Sequence, residues 1–176
     1  MSITLSDALK MASPHMANPK DYTQQTLCGI RILDGVVMAT DRYTAVRITV
    51  EGVPDAFVPA AIVKQGVISI ADNVATLKTG ATIPLPDMAD VGDYPDVSRL
   101  FDQFKPADAQ SDHYAGNPLA FAINPDMFAK FLPKHFPKWS GSLKIELGET
   151  PTKPLRLTLP GVREFVALWV PVKLGS

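Results

Sequence analysis

The sequence has little cysteine: Cys28 is the single one among 176 residues. One cysteine cannot form an internal disulfide, a usage typical of proteins in a reducing compartment, so we expect a cytoplasmic protein. Cys28 lies within a predicted strand, where a small buried hydrophobic side chain is a better interpretation than a nucleophile.

Long apolar runs are also absent. No window approaches the roughly 18 uninterrupted apolar residues that indicate a transmembrane helix. The first residues lack a basic region followed by an apolar segment, so no signal peptide is predicted. We therefore expect no membrane association.

The chain lacks a strong excess of either charge, since its net charge is −1. Residues 1–100 carry 8 basic and 11 acidic side chains, whereas residues 101–176 carry 9 basic and 7 acidic ones. This distribution does not indicate a DNA-binding protein as a whole. It is compatible with one modestly basic face on an otherwise acidic molecule.

Residue sets that carry catalysis or bind metals are absent as well. His15, His113 and His135 are scattered through predicted loops, and no His or Cys occurs at metal-ligand spacing. The acidic run at 87–96 is not followed by the terminal glutamate of a calcium loop. The sequence contains no Gly-rich phosphate loop and no GxSxG motif, so we expect no enzyme activity and no cofactor.

A β-hairpin is the strongest local pattern that is present. Asp34-Gly35 separates two apolar runs, and this pair favours a type I′ turn because both central residues need positive φ. Strands are predicted at 26–33 and 36–40, followed by a polar turn and a strand at 46–50.

Helical and strand patterns alternate along the rest of the chain. Apolar spacing predicts a helix at 5–12, and prolines placed at helix starts predict others at 59–65 and 125–132. Further strands are predicted at 67–71, 74–78, 81–85, 119–123, 143–147, 155–159 and 163–170. The chain thus consists of strand, helix and three strands, three times, with a period of about 55 residues. We predict an α+β fold of βαβββ repeats, with antiparallel sheets outside and short helices on one face.

Four segments carry a resemblance to a known family. They are Ala39-Thr40-Asp41, the Tyr-Pro-Asp segment at 94–100, Asn124-Pro125 after a strand, and the C-terminal stretch 167–174. In this order they resemble segments of the bacterial replicative sliding clamps, the β subunit of DNA polymerase III. The resemblance covers most of the chain and implies a DNA-clamp-like fold with helices lining a central channel.

The resemblance also implies a domain division. Residues 1–103 resemble the middle clamp domain with two βαβββ units, 104–118 form a linker, and 119–176 resemble the second half of the last clamp domain. This is about half of the units of a family member. Because three units leave one unpaired, we expect a homo-oligomer, and four copies would supply a ring with the family's number of units.

The resemblance further implies a groove that binds short peptide motifs of clamp clients. The alternative is that its residues are ordinary core positions at strand ends. Arg42 and Tyr43 replace the family's Gly-His pair, so motif preference is expected to differ. The groove residues are Leu27, Thr40, Tyr43, Ala45, Pro95, Arg99, Leu100, Leu168, Val170, Pro171 and Val172.

A DNA-facing surface is the second implied site. Its contacts would be to phosphates, independent of base sequence and sensitive to salt. The alternative is that these lysines simply solvate exposed helix faces. The candidate residues are Lys10, Lys64, Lys130, Lys134 and Lys138.

The leading functional hypothesis is a non-enzymatic processivity factor that encircles or sits on duplex DNA. Its expected partners are a DNA polymerase, other proteins with clamp-binding motifs, and a clamp loader. The alternative is a clamp mimic or decoy that forms no ring and binds the same motifs. The mass in solution separates these two hypotheses.

Overall fold

The computed structural model describes residues 3–20, 25–105, 125–131, 143–150, 153–159 and 162–169. The α-helices are α1 (Leu5–Ala12), α2 (Ala60–Val63), α3 (Val97–Asp102) and α4 (Pro125–Phe128). The strands are β1 (Gly29–Leu33), β2 (Val36–Thr40), β3 (Thr44–Thr49), β4 (Ala56–Pro59), β5 (Val67–Ala71), β6 (Val74–Leu77), β7 (Thr82–Pro84), β8 (Lys144–Glu146), β9 (Leu155–Leu159) and β10 (Val162–Trp169). Within these ranges, no helix has the length and apolar character needed to cross a bilayer.

The strands form two antiparallel sheets. The larger sheet has the order β4-β1-β2-β3-β10-β9-β8, and the smaller has the order β5-β6-β7. Helix α1 packs against β2 and β3 of the larger sheet and against β5 of the smaller one. The predicted α+β class, with antiparallel sheets and few short helices, is confirmed.

Helix α1 begins and ends as its sequence predicts. The Thr4 side chain caps it by accepting a hydrogen bond from the Asp7 amide at 3.2 Å. Its apolar positions, including Leu5 and Leu9, are buried in the main core. The helix is therefore fixed at one end by a cap and along one face by packing.

The hairpin between β1 and β2 has the predicted turn. Asp34 and Gly35 have φ values of 50° and 72°, the positive pair that a type I′ turn requires. Strand β1 is shorter than predicted because residues 25–27 form a turn of 3-10 helix. At its first residue, a Cβ on Gly29 would lie 2.3 Å from the Phe57 ring, so only glycine allows this close approach.

Strand β4 and helix α2 differ from the sequence prediction. Residues 56–59 form strand β4, whereas the pattern indicated a connection and then a helix beginning at Pro59. Pairing with β1 explains the difference, because Ile30 and Val58 are register partners that are both buried in the main core. Helix α2 is confined to Ala60–Val63, and Gly66 ends the following turn with φ of 82°.

The larger sheet is covered on both faces. Along β3, Val46 and Ile48 belong to the main core, and Ala45 belongs to a second cluster. Neighbouring residues of a strand point to opposite faces, so the two clusters lie on opposite sides of the sheet. Helix α1 packs on the main-core face, and α3 packs on the other.

The third predicted unit joins the first within one sheet. Strand β10 pairs antiparallel with β3, with Leu168 opposite Ala45 and Trp169 opposite Thr44. The division at 104–118 stays a prediction. Several predicted features lie outside the described residues: most of the linker, the strand at 119–123, the cap at Asn124 and the turn at 160–161.

Candidate functional site

Seven of the eleven predicted groove residues fall on three segments around the seam between β3 and β10. Thr40, Tyr43 and Ala45 lie at the end of the β2–β3 hairpin, and Leu168 lies on β10 directly opposite Ala45. The third segment is the stretch around α3, which packs against β2 and β3 and carries Pro95, Arg99 and Leu100.

One predicted residue lies in a different place. Leu27 is fully buried in a small cluster with Ala17 and Cys28, separate from the cluster that contains Leu168. Burial raises the pKa of the Cys28 thiol, which disfavours the reactive thiolate. The remaining predicted groove residues, Val170, Pro171 and Val172, lie outside the described residues.

The β2–β3 turn is built by hydrogen bonds from the Asp41 carboxylate. Oδ1 of Asp41 accepts from the amides of Tyr43 and Thr44 at 3.0 and 2.7 Å, and from Oγ1 of Thr44 at 2.9 Å. Thr40 Oγ1 donates to the Thr44 carbonyl at 2.8 Å. Arg42 has φ of 75°, a conformation that the surrounding hydrogen bonds hold. The Thr-Asp pair of the sequence motif is thus the framework of this turn.

Two further side chains contact the turn. Lys130 forms an ion pair with Oδ2 of Asp41. Burial acts to raise the pKa of Asp41, but hydrogen bonds from Lys130 and Thr44 and the Lys130 charge hold it below its ordinary value. His15, which is fully buried, places Nδ1 3.1 Å from Oγ1 of Thr44.

Helix α3 has a capping residue at its start, and a buried tyrosine that precedes it binds the sheet. Asp96 caps it by accepting a hydrogen bond from the Arg99 amide at 3.0 Å. The Tyr94 hydroxyl donates to the Met38 carbonyl at 3.2 Å, and burial raises the pKa of Tyr94 well above its usual range. This helix was not predicted from the sequence, although Asp96 followed by an apolar residue at 97 and others at 100 and 101 is a helix signal.

Arginines from both sides of the seam stack on aromatic rings at the end of α3 and just after it. Arg47 of β3 lies 5.0 Å from the centre of the Phe101 ring, and Arg156 of β9 lies 4.7 Å from that of Phe104. Arg156 also binds Glu146 with two hydrogen bonds of 2.8 and 2.9 Å, which hold the pKa of Glu146 below its ordinary value. The 94–105 segment therefore fastens the third unit to the first.

The site combines a buried floor with an exposed rim. Thr40, Ala45 and Leu168 are buried, whereas Tyr43 and Leu100 are 58% and 51% exposed. Large apolar side chains this exposed, close in sequence to residues of a buried apolar cluster, are typical of a surface that binds another molecule.

The predicted DNA-facing lysines have different environments. Lys10 and Lys64 are exposed and line a concavity of about 230 Å³ between α1 and the start of β5, together with Lys78. Lys130 instead pairs with Asp41 at the β2–β3 turn. Lys134 and Lys138 lie outside the described residues. Lys78 was not predicted, because it follows β6 and is far in sequence from either helix.

Metal-binding chemistry has no counterpart in the part of the chain that the structure covers. There, no group of three or more His, Cys, Asp or Glu side chains is arranged to hold an ion.

No protein-family model and no curated protein matches this chain. Solved structures with a similar fold do match it. The DNA polymerase III β subunit of Thermotoga maritima superposes with a TM-score of 0.64 at 13% identity, over 97% of this chain and 64% of that one. The Helicobacter pylori β clamp bound to a DNA ligase peptide gives 0.68 at 12% identity, over 97% and 63%. The Bartonella birtlesii sliding clamp bound to griselimycin gives 0.57 at 13% identity, over 97% and 64%.

These matches cover almost the whole chain, although it spans less than two thirds of the length of the clamps it matches. The predicted resemblance is confirmed at the level of the fold. The chain has the fold of the bacterial DNA polymerase III β subunit, the sliding clamp.

Proposed function

We propose that this chain is a sliding-clamp-like processivity factor without catalytic activity. It binds short peptide motifs of a DNA polymerase and of other clients at the β3–β10 seam, and it keeps these proteins on duplex DNA. The observation that carries the proposal is the convergence of the β2–β3 hairpin, α3 and β10, three segments far apart in sequence, on the α3 face of the larger sheet.

The chemistry of the seam suits a short peptide with aliphatic and aromatic anchors. Leu168 and Ala45 provide an apolar floor, and Tyr43 and Leu100 provide exposed apolar surface at the rim. The exposed Arg99 supplies a cation for an acidic residue or a terminal carboxylate of the peptide. One protein of the same fold, the Helicobacter pylori clamp, was solved with a DNA ligase peptide.

A second surface is suited to DNA. Lys10, Lys64 and Lys78 surround one concavity beside α1, on the main-core side of the molecule. Clients would bind on the α3 face, so both partners would have access at once. Lysine contacts to phosphates are independent of base sequence and weaken with salt, as a protein that moves along DNA requires.

Calorimetry with a peptide ending in a Leu-Phe anchor tests the peptide site. The unmodified chain is expected to bind it at micromolar strength, about −8 kcal/mol. Leu100→Asp is expected to weaken binding at least tenfold, about 1.4 kcal/mol, because a carboxylate at the rim must be desolvated against the apolar anchor. The melting temperature should change little, since Leu100 is half exposed.

Ile68→Asp is the matched control. Ile68 is 46% exposed on β5 of the smaller sheet, so the same kind of change is made away from the seam. Peptide affinity should equal that of the unmodified chain. Equal losses in the two variants, or no loss in Leu100→Asp, would contradict the proposed site.

A decoy that binds clamp motifs without forming a ring is the alternative. One observation favours it: β10 already pairs with β3 of the same chain, so this pairing leaves no need for a second copy. Light scattering across protein concentration separates the two functions. For a processivity factor we expect an oligomer, with four copies in a ring, that is retained on circular DNA and released when the circle is cut. A monomer at tens of micromolar that does not change with DNA would favour the decoy.

A further inference from the structure

We propose that Lys130 is a positioning residue of the candidate peptide site. By pairing with Asp41, it fixes the β2–β3 turn, and with it Tyr43, against β10. This inference rests on the proposed function and names a residue that sets the shape of that same site.

The Asp41 carboxylate uses its two oxygens for two tasks. Oδ1 accepts the hydrogen bonds from Tyr43 and Thr44 that form the turn. Oδ2 accepts from the Lys130 ammonium. Exposed fractions of 12% for the Asp41 side chain and 22% for that of Lys130 mean that the pair is largely removed from water. Lys130 is therefore a major source of charge compensation for the group that builds the turn.

The segment that carries Lys130 contacts both sides of the seam. Phe128, two residues earlier, has its ring centre 6.1 Å from that of Trp169, with 31° between the ring planes. Trp169 is the register partner of Thr44, so both contacts lie at the same end of the β3–β10 pair. Residues 125–131 thus link the turn of the first unit to the last strand of the third.

Loss of the ammonium would remove a major part of the charge compensation of a mostly buried carboxylate. The carboxylate would then gain water or a proton, and either change weakens the hydrogen bonds that it accepts from Tyr43 and Thr44. Tyr43 is the exposed aromatic side chain of the rim, and its amide is held by Oδ1. A looser turn would present Tyr43 to the peptide in many orientations, which lowers affinity.

The ion pair also gives Lys130 a different role from that of the other described lysines predicted to face DNA. Its charge is used within the chain, whereas Lys64 lines the exposed concavity beside α1. Neutralising these two lysines should therefore affect different partners. Lys130→Met should weaken the peptide complex, and Lys64→Met should weaken retention on DNA.

The experiment measures peptide affinity by calorimetry and amide hydrogen exchange by NMR, using the Leu-Phe peptide and the whole chain. Lys130→Met is expected to weaken peptide binding about tenfold and to speed exchange of the Thr44 amide by a similar factor. Exchange of the Val50 amide, which donates to the Gly35 carbonyl at the other end of the hairpin, should stay unchanged. Lys130→Arg should restore both quantities, and Lys64→Met should alter neither.

A double-mutant cycle keeps the test valid if Lys130→Met lowers stability. Asp41→Asn keeps an acceptor at the turn and removes the buried charge, so adding Lys130→Met to it should weaken peptide binding no further. Equal affinity and equal Thr44 exchange in Lys130→Met and the unmodified chain would overturn this inference alone. Absence of peptide binding by the unmodified chain would overturn the proposed function and this inference with it.

Discussion

Leu168→Asp is expected to lower the melting temperature by about 10 °C, because burying an unpaired carboxylate costs several kcal/mol. Leu168 is only 4% exposed and packs in the second cluster with Ala45, Tyr94, Val97 and Phe101. The charge would enter the apolar contact between β10, β3 and α3. Thermal unfolding followed by circular dichroism measures the effect.

Leu100→Asp makes the same substitution at a position that is 51% exposed, and it should move the melting temperature by no more than about 2 °C. Loss of peptide binding in Leu168→Asp could therefore result from lower stability of the fold. The same loss in Leu100→Asp would result from the changed rim of the peptide site. Similar melting temperatures for the two variants would show that Leu168 is not part of a packed floor.

Asp41→Ala is expected to lower the free energy of unfolding by about 3 kcal/mol, because it removes a buried acceptor and leaves Lys130 without its carboxylate. Asp102→Ala is the matched control: it also breaks an ion pair, with Arg47 at 3.0 Å, but the Asp102 side chain is 68% exposed. An exposed pair of this kind contributes at most about 1 kcal/mol. Urea unfolding of the two variants gives the comparison.

The effect of Asp41→Ala should also depend on pH. The pKa of Asp41 is lower in the folded chain than in the unfolded one, so the ionised carboxylate stabilises the fold above the unfolded-state value of about 4. This contribution is lost as the pH falls through the folded-state pKa. The stability difference between the unmodified chain and Asp41→Ala should thus be full at pH 7 and shrink on acidification. A difference that is small at pH 7, or equal at every pH, would contradict the role assigned to the carboxylate.

Local signals made part of the fold predictable from the sequence. Helix α1 follows from the Thr4 cap and an apolar stripe, and both features act within a few residues. The β1–β2 hairpin follows from Asp34-Gly35, whose backbone conformation fixes the turn and the register of its strands.

Long-range pairing made other parts unpredictable. Strand β4 exists because residues 56–59 pair with β1, and its short sequence ending at Pro59 has no strand period of its own. The seam between β3 and β10 joins residues more than a hundred positions apart, such as Ala45 and Leu168. Nothing in either strand alone indicates which partner it takes.

The candidate site shows the same division. The resemblance pointed to the motif segments around Thr40 and Leu100 and to Leu168, but its correspondence for Leu27 leads to a separate buried cluster. Lysine near a helix indicated a DNA-facing role for Lys130, and only the folded chain brings it to Asp41, 89 positions earlier. An ion pair at that separation has no local sequence signal.

Amide chemical-shift mapping by NMR with the Leu-Phe peptide tests most directly whether clients bind on the α3 face at the seam. We predict that the shifts concentrate at residues 40–45, 97–102 and 165–169, with little change around Lys10, Lys64 and Lys78. Shifts centred on that lysine-lined concavity, or no shifts at millimolar peptide, would contradict the account.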